Sequence, residues 1–185
     1  MSKFKVVSVL SSTAVFVAVA FLAYGGGVAQ AAPAPAGHVT PFAGVFNPIR
    51  NVGNNKCLQP VVPVEQSGVV QEPCDGSTLQ GWQFVSLGSN HYRFVNQASG
   101  ACLSTFSPPP NNGDPIGLQM CRNVSNLEFN AGTSLPNVVV LESREGFVNT
   151  GFCLDVPGAS SQDGLQMQIF QCNGTLAQRW VVGFA

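Results

Sequence analysis

From about Phe46 onward the apolar positions come in short runs broken by glycine and proline, too short to build one face of an amphipathic helix. This part of the chain is read as all-β. Three times an apolar stretch leads into Cys-Leu, and each is expected to be a strand ending there: Asn55-Lys56-Cys57-Leu58, Gly100-Ala101-Cys102-Leu103 and Gly151-Phe152-Cys153-Leu154. A turn dipeptide follows at one offset, Ser67-Gly68, Asn112-Gly113 and Asp163-Gly164, with glycine where a positive φ is needed. A second strand then runs to the next cysteine. Alternation is clearest in the last stretch, where Leu165, Met167 and Ile169 are expected to face the core and Gln166, Gln168 and Phe170 the outside. Phe170 is thus an aromatic ring on a face that solubility alone would make polar.

The pattern is a repeat. Cys57, Gly68, Cys74 and Trp82 recur as Cys102, Gly113, Cys121 and Phe129 and again as Cys153, Gly164, Cys172 and Trp180. The first cysteines lie 45 and 51 residues apart, a period at which internal repeats decide the whole architecture. The three copies are read as about 46–90, 91–136 and 137–185. Propellers need four or more blades, and solenoids want atypical terminal copies, whereas the third copy here is the most regular. Closure of three units around an axis is the expected arrangement.

The residues before the repeats have a different composition. Lys3 and Lys5 precede an apolar run from about Val6 to Tyr24, and Gly25-Gly26-Gly27 leads to Ala29-Gln30-Ala31, small residues of the kind a signal peptidase accepts. Residues 1–31 are expected to be a signal peptide cleaved near Ala31, and 32–45 an Ala/Pro/Gly-rich flexible linker. The alternative is an uncleaved anchor, but Ser8, Ser11, Ser12 and Thr13 interrupt the run. The protein is therefore expected to be secreted and extracellular.

An oxidising compartment favours disulfides for the six cysteines. If the units are equivalent, each closes on itself, giving Cys57–Cys74, Cys102–Cys121 and Cys153–Cys172. Zinc is a poor competitor: there is no Cys-x-x-Cys, and His38 and His91 are isolated. No metal and no cofactor is expected. Beyond the leader, six Lys/Arg face nine Asp/Glu, which leaves no electrostatic footprint for nucleic acid or anionic lipid.

Cys153-Leu154-Asp155, the run Gln168-Ile169-Phe170-Gln171-Cys172 and Gln178-Arg179-Trp180 together resemble the ricin-type β-trefoil lectin repeat, with its Cys-x-Asp start and Gln-x-Trp end. Gln80-Gly81-Trp82 repeats the closing motif, and Leu127-Glu128-Phe129 is a degenerate form of it. The resemblance implies a six-stranded barrel capped by three hairpins, with Trp82, Phe129 and Trp180 in the shared core rather than as sugar platforms. It also implies carbohydrate binding. In the family's pattern a carboxylate and a glutamine exchange hydrogen bonds with sugar hydroxyls while an aromatic ring covers the C–H face. The third repeat supplies Asp155, Gln168, Phe170 and Gln178 at those positions, departing at Ala177, where the pattern has asparagine.

The first repeat has Gln59, Val70 and Glu72 at the corresponding places, and the second has Ser104, Gly117 and Gln119, with Asn126 matching the asparagine. Both are read as structural. The resulting expectation is a non-catalytic secreted lectin that takes a glycan or polysaccharide and reaches membranes only through their glycans. A structural or protein-interaction trefoil serving a larger secreted complex is the alternative, its partner unknown. Inhibition of a protease through Ser107-Pro108-Pro109-Pro110-Asn111-Asn112 and a glycosidase built on Asp155 and Asp163 are weaker readings, since proline clusters are mostly spacers and Asp163 is explained by its turn. Sequons occur at Asn123-Val124-Ser125 and Asn173-Gly174-Thr175.

Overall fold

The structure, a computed structural model, describes residues 44–135, 137–146 and 148–182; the expected signal peptide and nearly all of the expected linker lie outside them. The first repeat forms β1 (Ile49–Asn51), β2 (Cys57–Pro60), β3 (Val69–Glu72) and β4 (Trp82–Gly88). The second forms β5 (His91–Asn96), β6 (Cys102–Thr105), β7 (Asp114–Gln119) and β8 (Phe129–Leu135). The third forms β9 (Val138–Glu145), β10 (Val148–Asp155), β11 (Leu165–Gln166), β12 (Gln168–Gln171) and β13 (Trp180–Val182). Met167 separates β11 from β12, so the third unit has the same four positions with its third strand divided.

The first and last strands of each unit make a barrel. β4 pairs with β5, β5 with β8, β8 with β9, β9 with β13 and β13 with β1, all antiparallel. The bridge from Asn47 to Trp82 closes the circle, which leaves the barrel with no open edge. The inner strands form three hairpins, β2–β3, β6–β7 and β10–β12. These meet around an axis through β3 with β11, β7 with β12 and a bridge between Gly68 and Gly117. This is a β-trefoil, and each unit carries its own disulfide, Cys57–Cys74, Cys102–Cys121 and Cys153–Cys172. Each cross-link closes a loop of under twenty residues and restricts the unfolded chain by about 3 kcal/mol.

Trp82, Phe129 and Trp180 have no exposed surface and pack in one cluster with Leu58, Leu103 and Leu154, the residue after the first cysteine of each unit. The two indoles are also tied there by hydrogen bonds, Trp82 Nε1 to the Leu58 carbonyl at 2.9 Å and Trp180 Nε1 to that of Leu154 at 3.1 Å. Phe129 has no such donor. It packs against Phe94 with ring centres 5.8 Å apart.

Two local expectations need correction. The strands of the first two units begin at the first cysteine instead of ending there, because the residue two before it turns the chain with a positive φ: Asn55 at 63° and Gly100 at 68°. Gly151, at 79°, holds the same place inside β10, where the pairing with β9 shifts register. The hairpin turns keep register with the second cysteine, not the first. Gly113 (90°) and Gly164 (71°) lie eight residues before it and are left-handed as expected, but in the first unit that position is Gln66 (64°), and Gly68 is not left-handed. The first loop is two residues shorter, with a cysteine separation of 17 against 19, so counting from Cys57 lands on the wrong residue.

Gly68 is needed for a different reason. The Gln166 amide sits where the three hairpins converge and donates to the carbonyls of Val69, Ile116 and Met167, one from each unit, at 2.9, 2.7 and 2.8 Å. A Cβ on Gly68 would lie 2.1 Å from the Gln166 side-chain oxygen. Only one side chain fits on a threefold axis. The alternation within the third unit otherwise holds, since Met167 and Ile169 are fully buried and Leu165 packs against the core, while Gln166, expected outside, folds onto the axis.

Candidate functional site

The pairing of β10 with β12 sets Asp155 opposite Gln168 and Cys153 opposite Phe170, while Leu154 and Ile169 between them point to the core. One face of this hairpin therefore presents a carboxylate, an amide and a ring together. Gln168 Nε2 donates to Asp155 Oδ1 at 2.7 Å, which fixes the carboxylate. Asp155, Gln168 and Phe170 line a recess of about 270 Å³ whose other walls are Val156, Gly158, Ala159, Asn173, Thr175 and Ala177. That is slightly below the roughly 300–1,000 Å³ of drug-sized sites and suits one small ring.

The turn Pro157–Ala159 supplies one wall, with Gly158 and Ala159 both left-handed at φ 59° and 50°. The opposite wall is the stretch after Cys172, held by Asn173 Oδ1, which accepts from the Thr175 N–H at 3.0 Å and the Thr175 hydroxyl at 2.8 Å. Gln178 does not line the recess. It is fully buried, accepts from the Asn173 N–H at 2.8 Å and donates to the Gln171 carbonyl at 3.0 Å. It acts from behind, fixing the wall.

Asp155 is only 5% exposed, and burial pushes its carboxyl above the ordinary carboxylate range. Hydrogen bonds from Gln168 and Gln178 pull it back in part. A carboxyl raised in the folded state loses folding free energy as pH climbs from the unfolded value near 3.8 through the folded one. Its charge is kept at a cost to the fold.

The other repeats do not reproduce this arrangement. In the first, the Gln59 amide oxygen accepts from Gln80 Nε2 at 2.9 Å, and Val70 is buried, so the polar groups close on each other. In the second, Ser104 is fully buried, and Phe106 lies over Gly117, so that a Cβ there would meet the ring at 1.9 Å. Asn51 and Asn96 are two buried residues that the motif reading passed over. Asn51 Nδ2 donates to the carbonyls of Leu176, Ala177 and Arg179, and Asn96 Nδ2 to those of Leu79 and Gly81. Each thereby pins the closing motif of the neighbouring repeat. Their signal was available: both lie six residues before the first cysteine.

The ricin-type beta-trefoil lectin domain-like family matches residues 43–119, the first repeat and most of the second. No curated protein matches the sequence. Among solved structures, the chain is similar to ThreeFoil, a designed threefold symmetric protein, at 21% identity and TM-score 0.70 over 76% of this chain and 99% of that one. It is also similar to the ricin B-like lectin of Macrolepiota procera, solved in complex with lactose, at 17% identity and TM-score 0.62 over 80% and 100% of the two chains. A third is the exo-beta-1,3-galactanase 1,3Gal43A of Clostridium thermocellum, at 21% identity and TM-score 0.68, where 76% of this chain spans 30% of the enzyme.

Proposed function

From a chain that carries a ricin-type β-trefoil lectin-like domain, we propose a secreted, non-catalytic carbohydrate-binding protein that holds one sugar ring in the third-repeat recess. The family match and the lectin neighbours support carbohydrate binding in general. The observation that carries the finer reading is the Asp155 carboxylate, pinned by Gln168 beside the Phe170 ring in a recess of fitting size. Asp155 accepts from sugar hydroxyls, Gln168 gives and takes hydrogen bonds beside it, and Phe170 covers the C–H face. A buried carboxylate that the fold is taxed to keep ionised is the kind of group found at binding sites.

Catalysis is not assigned. Asp163, which a glycosidase reading would pair with Asp155, is ion-paired with Lys56 of the first repeat and is absent from the recess. A shallow sugar site of this size gives an affinity near millimolar, about −4 kcal/mol, so strong adhesion requires several copies on a dense glycan surface.

A glycan array with a polysaccharide pull-down tests the proposal, using the secreted protein as monomer and as a multivalent assembly. Retention on a neutral glycan is expected, fading on acidification at a pH above that of an ordinary carboxylate, as Asp155 takes up its proton. Absence of binding by both forms would falsify the lectin reading, and binding unchanged down to pH values below about 3.9 would remove Asp155 from it.

A further inference from the structure

Nine large apolar side chains are exposed among the described residues, and five of them gather where the first and second hairpins meet. Val61, Val62 and Val64 belong to the turn between β2 and β3, whose next residues, Glu65 and Gln66, wall a recess of about 320 Å³ together with Met120 and Val124. None of the nine lies in the turn of either other hairpin, so the trefoil itself does not require them. An exposed apolar patch of a few hundred Å² marks a place where another molecule docks.

The patch stands on a fixed backbone. The Val62 N–H donates to Ser67 Oγ at 3.1 Å, the Val64 N–H to the Val62 carbonyl at 2.9 Å and the Gln66 N–H to the Leu118 carbonyl of β7 at 2.9 Å. The turn is therefore tied to itself and to the second hairpin while its valine side chains face water, and docking onto them costs little ordering.

The charges on this face decide the partner. Glu65 comes to it from the first repeat and Arg122 from the second, both exposed and both outside the ion pairs of the described residues, Lys56–Asp163 and Arg93–Glu128. Arg122 Nη2 lies 3.7 Å from the Met120 sulfur, at the edge of the apolar patch. A face of one sign would repel its own copy, but one charge of each sign makes this face complementary to itself after a half rotation. We infer that it is the interface of a twofold dimer of this chain. The exposed valines and Met120 of two copies form its apolar centre, and Glu65 of each copy pairs with the partner subunit's Arg122. A stable interface covers about 800 Å² per partner, with an apolar core and a polar rim, and Gln66, Gln119 and Asn126 around the same recess supply that rim. The pairing uses no residue of the third-repeat recess and does not rest on the sugar reading. Its consequence for that reading is two such recesses on one particle.

Sedimentation velocity of the mature protein over a concentration series from about 1 µM to 1 mM tests the dimer, with a monomer–dimer equilibrium in the micromolar range expected. Val64→Asp should weaken it by more than about a hundredfold, since the twofold axis buries the new carboxylate twice. Glu65→Arg and Arg122→Glu should each weaken it by about tenfold, because each reversal sets like charges together at two places. An equimolar mixture of these two single variants should regain the parent's affinity, since one copy of each restores both opposite-charge pairs. All three positions are exposed, so folding is not at stake. A parent that stays monomeric throughout, a dimer indifferent to Val64→Asp, or a mixture no tighter than its single variants would each overturn the inference. Retention of a monomeric parent on liposomes, lost in Val64→Asp, would assign the patch to a lipid surface instead.

Discussion

Trp180→Ala is expected to cost about 3–5 kcal/mol of folding free energy, much of the stability of a domain this size. The indole has no exposed surface, lies between Asn51 of β1 and Val139 of β9 in the barrel, and donates to the Leu154 carbonyl. Truncation opens a cavity where three units meet and strands a buried acceptor. Trp180→Phe should cost clearly less, because the second repeat already uses Phe129 at the same position. Denaturant unfolding of the oxidised protein, with the three disulfides intact in every variant, measures both. A Trp180→Ala midpoint close to that of the parent would mean that the aromatics are not the shared core.

The recurrence of cysteine, glycine and aromatic was enough to read a threefold closure, the disulfides and the core, because each rests on local spacing repeated three times, while the trefoil itself came with the resemblance to the ricin-type repeat. What escaped lies between repeats. Gly68 looked like a turn glycine, yet it is small because Gln166, nearly a hundred residues away, needs the space at the axis. Ser104 and Gly117 revealed the loss of the third repeat's arrangement in the second repeat, but not that Phe106 lies over Gly117. In the third repeat Gln168 and Phe170 were legible from strand alternation and Asp155 from the Cys-x-Asp motif of the family it resembles, and the three line one recess. Gln178 was counted with them, although its place in the closing motif turns it inward to hold the chain after Cys172.

Asp155→Ala is expected to weaken glycan binding by more than tenfold. Hydrogen bonds to a charged acceptor contribute about 1.5–3 kcal/mol each, and at a starting affinity near millimolar the loss of one or two takes binding out of range. Phe170→Ala should act in the same direction by removing the ring under the sugar. Asp155→Asn separates binding from folding. It keeps the shape while removing a charge that burial disfavours, so the neutral-pH stability should hold or rise while binding falls. Calorimetric titration and denaturant unfolding on the same samples give the two readings. A variant that loses stability and binding in proportion would make Asp155 a structural residue.

The most direct measurement is an amide NMR titration of the mature protein with the neutral oligosaccharide selected by the array. Saturable shifts centred on Asp155, Gln168, Phe170 and Asn173, with the corresponding amides Gln59, Val70 and Glu72 of the first repeat silent, are the predicted result. Saturable shifts elsewhere, with the third-repeat hairpin unmoved, would contradict it.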